Sequence, residues 1–144
     1  MSVKIVFWSG TGNTAAMADM IARGVSAAGG EAELISVATA NALELKQEKA
    51  FALGCPSMGA EQLEETEMEP FMCTLEDGIA GKQVVLFGSY GWGNQEWMRD
   101  WEDRIKAAGA TVVNGEGITV NWAPGEDTQA QCEDAGRVLA ALIQ

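Results

Sequence analysis

Val3-Lys4-Ile5-Val6-Phe7-Trp8, followed at once by Ser9-Gly10-Thr11-Gly12-Asn13-Thr14, is the stretch on which the reading of this chain turns. The first six residues are an apolar run of strand character, and a helical pattern begins directly after the second six. Two glycines allow a tight turn whose N–H groups point inward. Ser9, Thr11 and Thr14 add hydroxyls and Asn13 adds an amide, while the positive end of the following helix faces the same spot. Strand, donor-lined turn and helix in that order predict an anion cradle, with a phosphate monoester as its small anion. The loop contains no Lys or Arg, so neutral donors and the helix dipole must hold the charge. Neither G-x-x-x-x-G-K-[ST] nor G-x-G-x-x-G is present, and a nucleoside triphosphate would lack its lysine clamp.

Outward from this stretch, strand and helix alternate. Met17, Met20, Ile21 and Val25 stand at helical spacing and predict a helix over 13–28, stopped by Gly29-Gly30. A second strand is expected over 33–37, then a short connection over 38–48 with one helical turn. Residues 49–55 read as a third strand, nearly all apolar and therefore central. A helix near 68–75, a fourth strand over 83–88 and a helix over 96–108 follow, the last with Met98, Trp101, Ile105 and Ala108 on one face. The fifth strand falls within 111–120, interrupted near Asn114-Gly115-Glu116-Gly117, and a final helix runs over 127–143 with Val138, Leu139, Leu142 and Ile143 inward. This pattern predicts one domain over 1–144, an α/β three-layer sandwich around a five-stranded parallel sheet. Ligands of such sheets sit beyond the carboxyl ends of the strands. The three unusual loops follow the first, third and fourth strands, so they are expected to converge on one edge.

Composition narrows the chemistry. Of 144 residues, 21 are acidic, 9 basic and none is histidine, for a net charge of −12. Such a polyanion is repelled by nucleic acid and by anionic membranes, and its expected partners are basic patches on other proteins; the same acidity also serves solubility. Without histidine, the commonest general base and metal ligand is missing. Cys55, Cys73 and Cys132 are odd in number and widely spaced, which predicts free thiols and no zinc or iron–sulfur site. The sequence opens into a strand with no basic, then apolar, leader, and the expected location is cytoplasmic.

The other two loops are Pro56-Ser57-Met58-Gly59-Ala60 and Ser89-Tyr90-Gly91-Trp92-Gly93-Asn94. Joined to the phosphate loop, they describe a flat aromatic ligand carrying one phosphate. Trp92, flanked by glycines, reads as a stacking plate. Met58 reads either as a polarizable contact for the opposite face or as a hydrophobe covering the core.

These residues carry a likeness. Over essentially its full length the chain resembles the short-chain bacterial flavodoxins, through W-S-G-T-G-N-T at 8–14, L-G-C-P-S-M-G at 53–59, L-F-G-S-Y-G-W-G at 86–93, E-W-M-R-D-W-E at 96–102 and Val120-Asn121. The resemblance implies a flavodoxin-like sheet of order 2-1-3-4-5, non-covalent FMN, and low-potential one-electron transfer between semiquinone and hydroquinone, without substrate turnover. By the same likeness Ser9, Gly10, Thr11, Gly12, Asn13 and Thr14 would hold the phosphate. Trp92 would stack on the outer face of the ring, and Met58 would lie against the inner face beside Pro56 and Ser57. Glu61 would accept from the flavin N3–H, and Ser89, Tyr90 and Gly91 would run along the ring. Asn121 would reach it from the loop after the fifth strand. The Gly59 carbonyl would flip to accept a hydrogen bond from the N5–H that appears in the semiquinone. Ala60 departs from the small polar or acidic residue many relatives have there, and it tolerates positive φ poorly.

Glu61, Glu64, Glu65, Glu67, Glu69, Glu76 and Asp77 form an acidic run, with no Lys or Arg from 50 to 81. Placed beside the flavin it would disfavour the anionic hydroquinone; as a solvated helix face it would not. The partners expected from the resemblance are ferredoxin-type oxidoreductases with basic docking patches, met by a monomer. An FMN-dependent NAD(P)H or quinone reductase of the same fold would share the phosphate loop, but needs an open ring face that Trp92 would cover. A phosphoacceptor receiver would need acidic residues where Ser9 and Cys55 stand.

Overall fold

The computed structural model describes residues 2–10 and 12–144. Its sheet comprises β1 (Ser2–Phe7), β2 (Glu31–Ser36), β3 (Ala50–Gly54), β4 (Gln83–Tyr90), β5 (Thr111–Val112) and β6 (Ile118–Asn121). All pairings between these strands are parallel, in the order β2-β1-β3-β4-β5 that the resemblance implied. Two short strands share the fifth place. β5 pairs with Gln83 and Val84, and β6 pairs farther along with 87–90 of β4. Between them lies the expected interruption, a 3₁₀ turn at Val113–Gly115 with Asn114 at φ 65°.

The helices are α1 (Asn13–Ala27), α2 (Ala42–Leu45), α3 (Met68–Leu75), α4 (Glu96–Ala107) and α5 (Glu126–Leu142). Strand alternation sends side chains to two separate cores. Val6, Phe51, Leu53, Val84 and Leu86 meet α3 and α4 through Met68, Met72, Trp97, Trp101 and Ile105. Val3, Ile5, Ala50, Ala52, Val85 and Phe87 meet α1 and α5 through Met17, Ile21, Val25, Cys132 and Leu139. On that second face α1 and α5 approach until their backbones touch. A Cβ on Gly24 would overlap the Glu133 carbonyl, and one on Gly136 the Ile21 carbonyl.

Two expectations are corrected. β4 runs two residues beyond Gly88, because Ser89 and Tyr90 still find partners in Val120 and Asn121. On α5, Val138 is 37% exposed. The inward stripe is Cys132, Ala135, Gly136, Leu139 and Ala140, since close contact with α1 selects the small residues.

The long connection from β3 to α3 is closed by one carboxylate. Glu64, 7% exposed, accepts N–H bonds from Thr66 (2.8 Å), Glu67 (2.7 Å) and Met68 (3.1 Å), as well as the Thr66 hydroxyl. It thus caps the first turn of α3. Burial alone would raise its pKa, but these bonds outweigh burial and hold it below the ordinary 4.5. The stabilisation is therefore complete above the unfolded-state value and is lost as pH falls through the lower folded-state value. Glu64→Gln is expected to cost roughly 1–2 kcal/mol at pH 7. It should also flatten the loss of stability of the native chain below about pH 5, measured by urea denaturation across pH.

Candidate cofactor site

The loop after β1 stays tied to the sheet edge, for Trp8 N–H donates to Gly54 O at 3.0 Å. Ser9 Oγ then accepts the N–H groups of Gly12 and Ala15, both at 3.2 Å. Two amides thus already converge on one oxygen, in the geometry an anion uses at a helix N-terminus. Gly12 takes φ 99° as α1 begins, a value that costs glycine little. Thr14 is buried, with Oγ1 3.4 Å from Ser89 Oγ. Thr11, one of the expected phosphate donors, lies outside the described residues.

The loop after β3 folds into a tight hairpin. Met58 and Gln62 exchange N–H···O bonds of 2.9 Å in both directions. Gly59 sits at φ 51° and so does Glu61, whereas Ala60 keeps an ordinary negative φ. Only glycine and glutamate bear the left-handed conformation here, and alanine escapes it.

Gly10, Asn13, Pro56, Ser57, Met58, Ser89, Tyr90, Gly91 and Trp92 come together around a single cleft of about 160 Å³. Residues expected from three distant parts of the chain therefore meet at one rim. Trp92 is 51% exposed, as a plate awaiting a partner would be. Ser57 is buried, and its Oγ has no hydrogen-bond partner among the described residues. Larger concavities of about 330 Å³ and 580 Å³ lie beside α2 and between residues 37–43 and α3. Neither contains a residue of the phosphate loop or of the Met58 and Trp92 loops, so size does not locate the site.

Not every expected residue reaches the cleft. Glu61 Oε1 accepts the N–H groups of Asn94 (3.1 Å) and Glu96 (3.0 Å) and packs over Gly93. The amides at the start of α4 hold the carboxylate there, through charge-assisted bonds at a positive helix end. Asn121 Nδ2 donates to the Tyr90 carbonyl at 3.3 Å. Gly59 and Ala60 are exposed beyond the rim. Sequence reasoning missed two lining residues, Trp8 and Trp122. Trp8 is the first residue past β1, and Trp122 the first past β6. Both could have been found by applying the carboxyl-edge rule to every strand.

Most of the acidic run has structural work. Glu67 accepts Trp8 Nε1–H at 3.0 Å. Arg104 grips Glu69 with two bonds of 2.7 and 2.8 Å and Glu76 with one of 2.6 Å. The Arg104 bonds hold the Glu69 carboxyl below the usual glutamate range. Lys46, at 2.6 Å, does the same for Asp77. Burial pushes the Cys55 and Cys132 thiols up to about 12, so both stay protonated. No group of three or more metal-ligating side chains occurs among the described residues.

Comparison with known proteins matches this geometry. The flavodoxin family model covers residues 5–136. The flavodoxin of Clostridium beijerinckii is 44% identical over 140 residues, spanning 97% of this chain and 100% of that one. That of Megasphaera elsdenii is 45% identical over 138 residues, 96% of this chain and 98% of the relative. The solution structure of two-electron reduced Megasphaera elsdenii flavodoxin superposes with a TM-score of 0.88 at 42% identity, covering 98% of this chain and 99% of that one. The family match and the near full-length likeness in sequence and fold agree, and the chain belongs to the flavodoxin family.

Proposed function

We propose that this chain carries single electrons at low potential between redox proteins, with FMN held non-covalently in the cleft and no substrate of its own. The observation that carries this reading is the placement of Met58 and Trp92 on one cleft that runs to a glycine loop without basic side chains. FMN is the cofactor of the family, and the residues fit it. The amides of Gly12 and Ala15 converge as a phosphate requires. The cleft walls are mainly apolar and aromatic, and the orphaned Ser57 hydroxyl offers a polar contact. When bound, FMN supplies the one-electron chemistry; the chain positions and shields it.

In this assignment the turn of Ser9, Gly10, Thr11, Gly12, Asn13 and Thr14 holds the phosphate. Trp92 and Met58 flank the ring, and Pro56, Ser57, Ser89, Tyr90 and Gly91 run along it. The Gly59 carbonyl would accept a hydrogen bond from N5–H, and Gly59 already bears the positive φ of 51° that costs glycine little. Glu61 would serve N3–H through Oε2 while its Oε1 keeps the amides of Asn94 and Glu96, and Asn121 would use Oδ1 or its second Nδ2–H while one Nδ2–H stays on Tyr90.

Among the described residues no charged side chain lines the cleft, and the chain has no histidine. A substrate needing proton transfer would find no base there, which supports a carrier over a reductase. A net charge of −12 favours partners with basic patches and disfavours self-association. No helix among the described residues is long and apolar enough to cross a membrane, and a cytoplasmic monomer is part of the proposal. The purified FMN-loaded protein should oxidise NADH and NADPH only when a partner reductase is added. Steady oxidation by the protein alone would favour the reductase reading.

The ion pairs refine the electrostatic argument. Glu69 and Glu76 share Arg104, and Asp77 pairs with Lys46 in the turn ahead of the amino end of β4, away from the carboxyl edge, while Glu67 sits beside the phosphate loop on Trp8. A carboxylate about 10 Å away contributes about 1.7 kcal/mol at an effective dielectric near 20, before salt screening. With about 1.4 kcal/mol per 59 mV for one electron, the screened effect is on the order of tens of mV. Glu67→Gln should raise the potential of the second electron by roughly 10–50 mV, and Asp77→Asn by much less. Spectroelectrochemistry reads both, and equal shifts would contradict the assignment.

A further inference from the structure

Of the five tryptophans, Trp97 and Trp101 belong to the core, and Trp8 is tied to Glu67. Trp92 and Trp122 are exposed, by 51% and 59%. Trp122 is the less expected of the two, because it combines an exposed indole with a left-handed backbone at φ 61°. A bulky L-residue rarely accepts that conformation unless its surroundings impose it.

The surroundings do impose it. Trp122 N–H donates to the Tyr90 carbonyl at 2.8 Å. Its ring lies against Gly91, where an added Cβ would fall 2.6 Å from Cη2 and 2.8 Å from Cζ2. Only glycine at position 91 leaves room for the indole there. The result is a tryptophan fixed on the rim of the cleft that Met58 and Trp92 also line. Its exposed face is a large apolar surface that no described residue covers, and burial of such a surface is what an apolar ligand offers.

We infer that Trp122 is a flavin-binding residue, an aromatic wall additional to Trp92 that packs on the part of FMN shared with riboflavin. The inference rests on the reading that FMN occupies this cleft. Bound flavin covers the indole, and the indole in turn narrows the solvent's access to the flavin.

Apoprotein titrated with FMN and with riboflavin, followed by quenching of flavin fluorescence, tests this. Trp122→Ala should raise the Kd of both ligands about tenfold, equivalent to 1.4 kcal/mol, and Trp122→Phe should restore most of the affinity. Trp122→Asn removes the ring while tolerating the left-handed backbone, so its loss should match that of alanine if the ring is what binds. Kd values within twofold of the unaltered chain for both ligands would overturn the inference. So would a loss confined to FMN, which would place the effect at the phosphate loop. An unaltered chain that bound neither ligand would instead bring down the site reading, and this inference with it.

Discussion

The cleft hangs on the backbone of one strand. The carbonyls of Phe87, Ser89 and Tyr90 on β4 accept N–H groups from Cys55 (3.0 Å), Ser57 (3.0 Å) and Trp122 (2.8 Å). Sheet pairing thus continues past the regular strands and fixes the loops on either side. Close approach makes this possible: a Cβ on Gly88 would overlap the Cys55 carbonyl, and one on Gly54 the Phe87 ring. A buried backbone pair contributes about 0.5–1.5 kcal/mol net, but leaving one unmade costs more. The rim is therefore specified by main-chain geometry, and its side chains are free to serve a ligand. Trp97 closes the structure from below, with Nε1–H bonded to the Cys55 carbonyl at 3.0 Å and its ring 5.7 Å from that of Tyr90.

Charge is distributed with the same economy. The chain is strongly acidic, yet the acids nearest the rim are engaged. Glu61 joins the β3 loop to the start of α4, Glu64 caps α3, and Glu67 holds Trp8 in place. Arg104 binds α3 and the following 3₁₀ turn to α4 through two carboxylates. An acidic stretch without a local cation looks like a solvated face in sequence, but here it is a set of helix caps and clamps.

The alternation of strand and helix, the glycine turn between β1 and α1 and the convergence of three loops were legible in the sequence, because each rests on local periodicity, glycine placement or a general rule of parallel sheets. Less was legible where a long-range partner decides. Ser89 and Tyr90 read as loop beside two glycines, and only β6 keeps them in the sheet. That Glu61 Oε1 also ties down the amides of Asn94 and Glu96 is a long-range contact that nothing local reveals. Val138 read as inward because it is apolar, whereas close packing of α1 on α5 favours Ala135 and Gly136. Trp122 was overlooked because its loop has no glycine motif of its own; its partner glycine is at position 91.

In the proposed assignment, turns far apart in the chain clasp one planar ring while a cation-free loop holds its phosphate. Crystallography of the FMN-loaded protein tests it most directly. The phosphate should lie within the 9–14 turn, contacted by amides and hydroxyls with no Lys or Arg, and the ring between Met58 and Trp92. A phosphate held by a basic side chain, or a ring lying outside that pair, would contradict it.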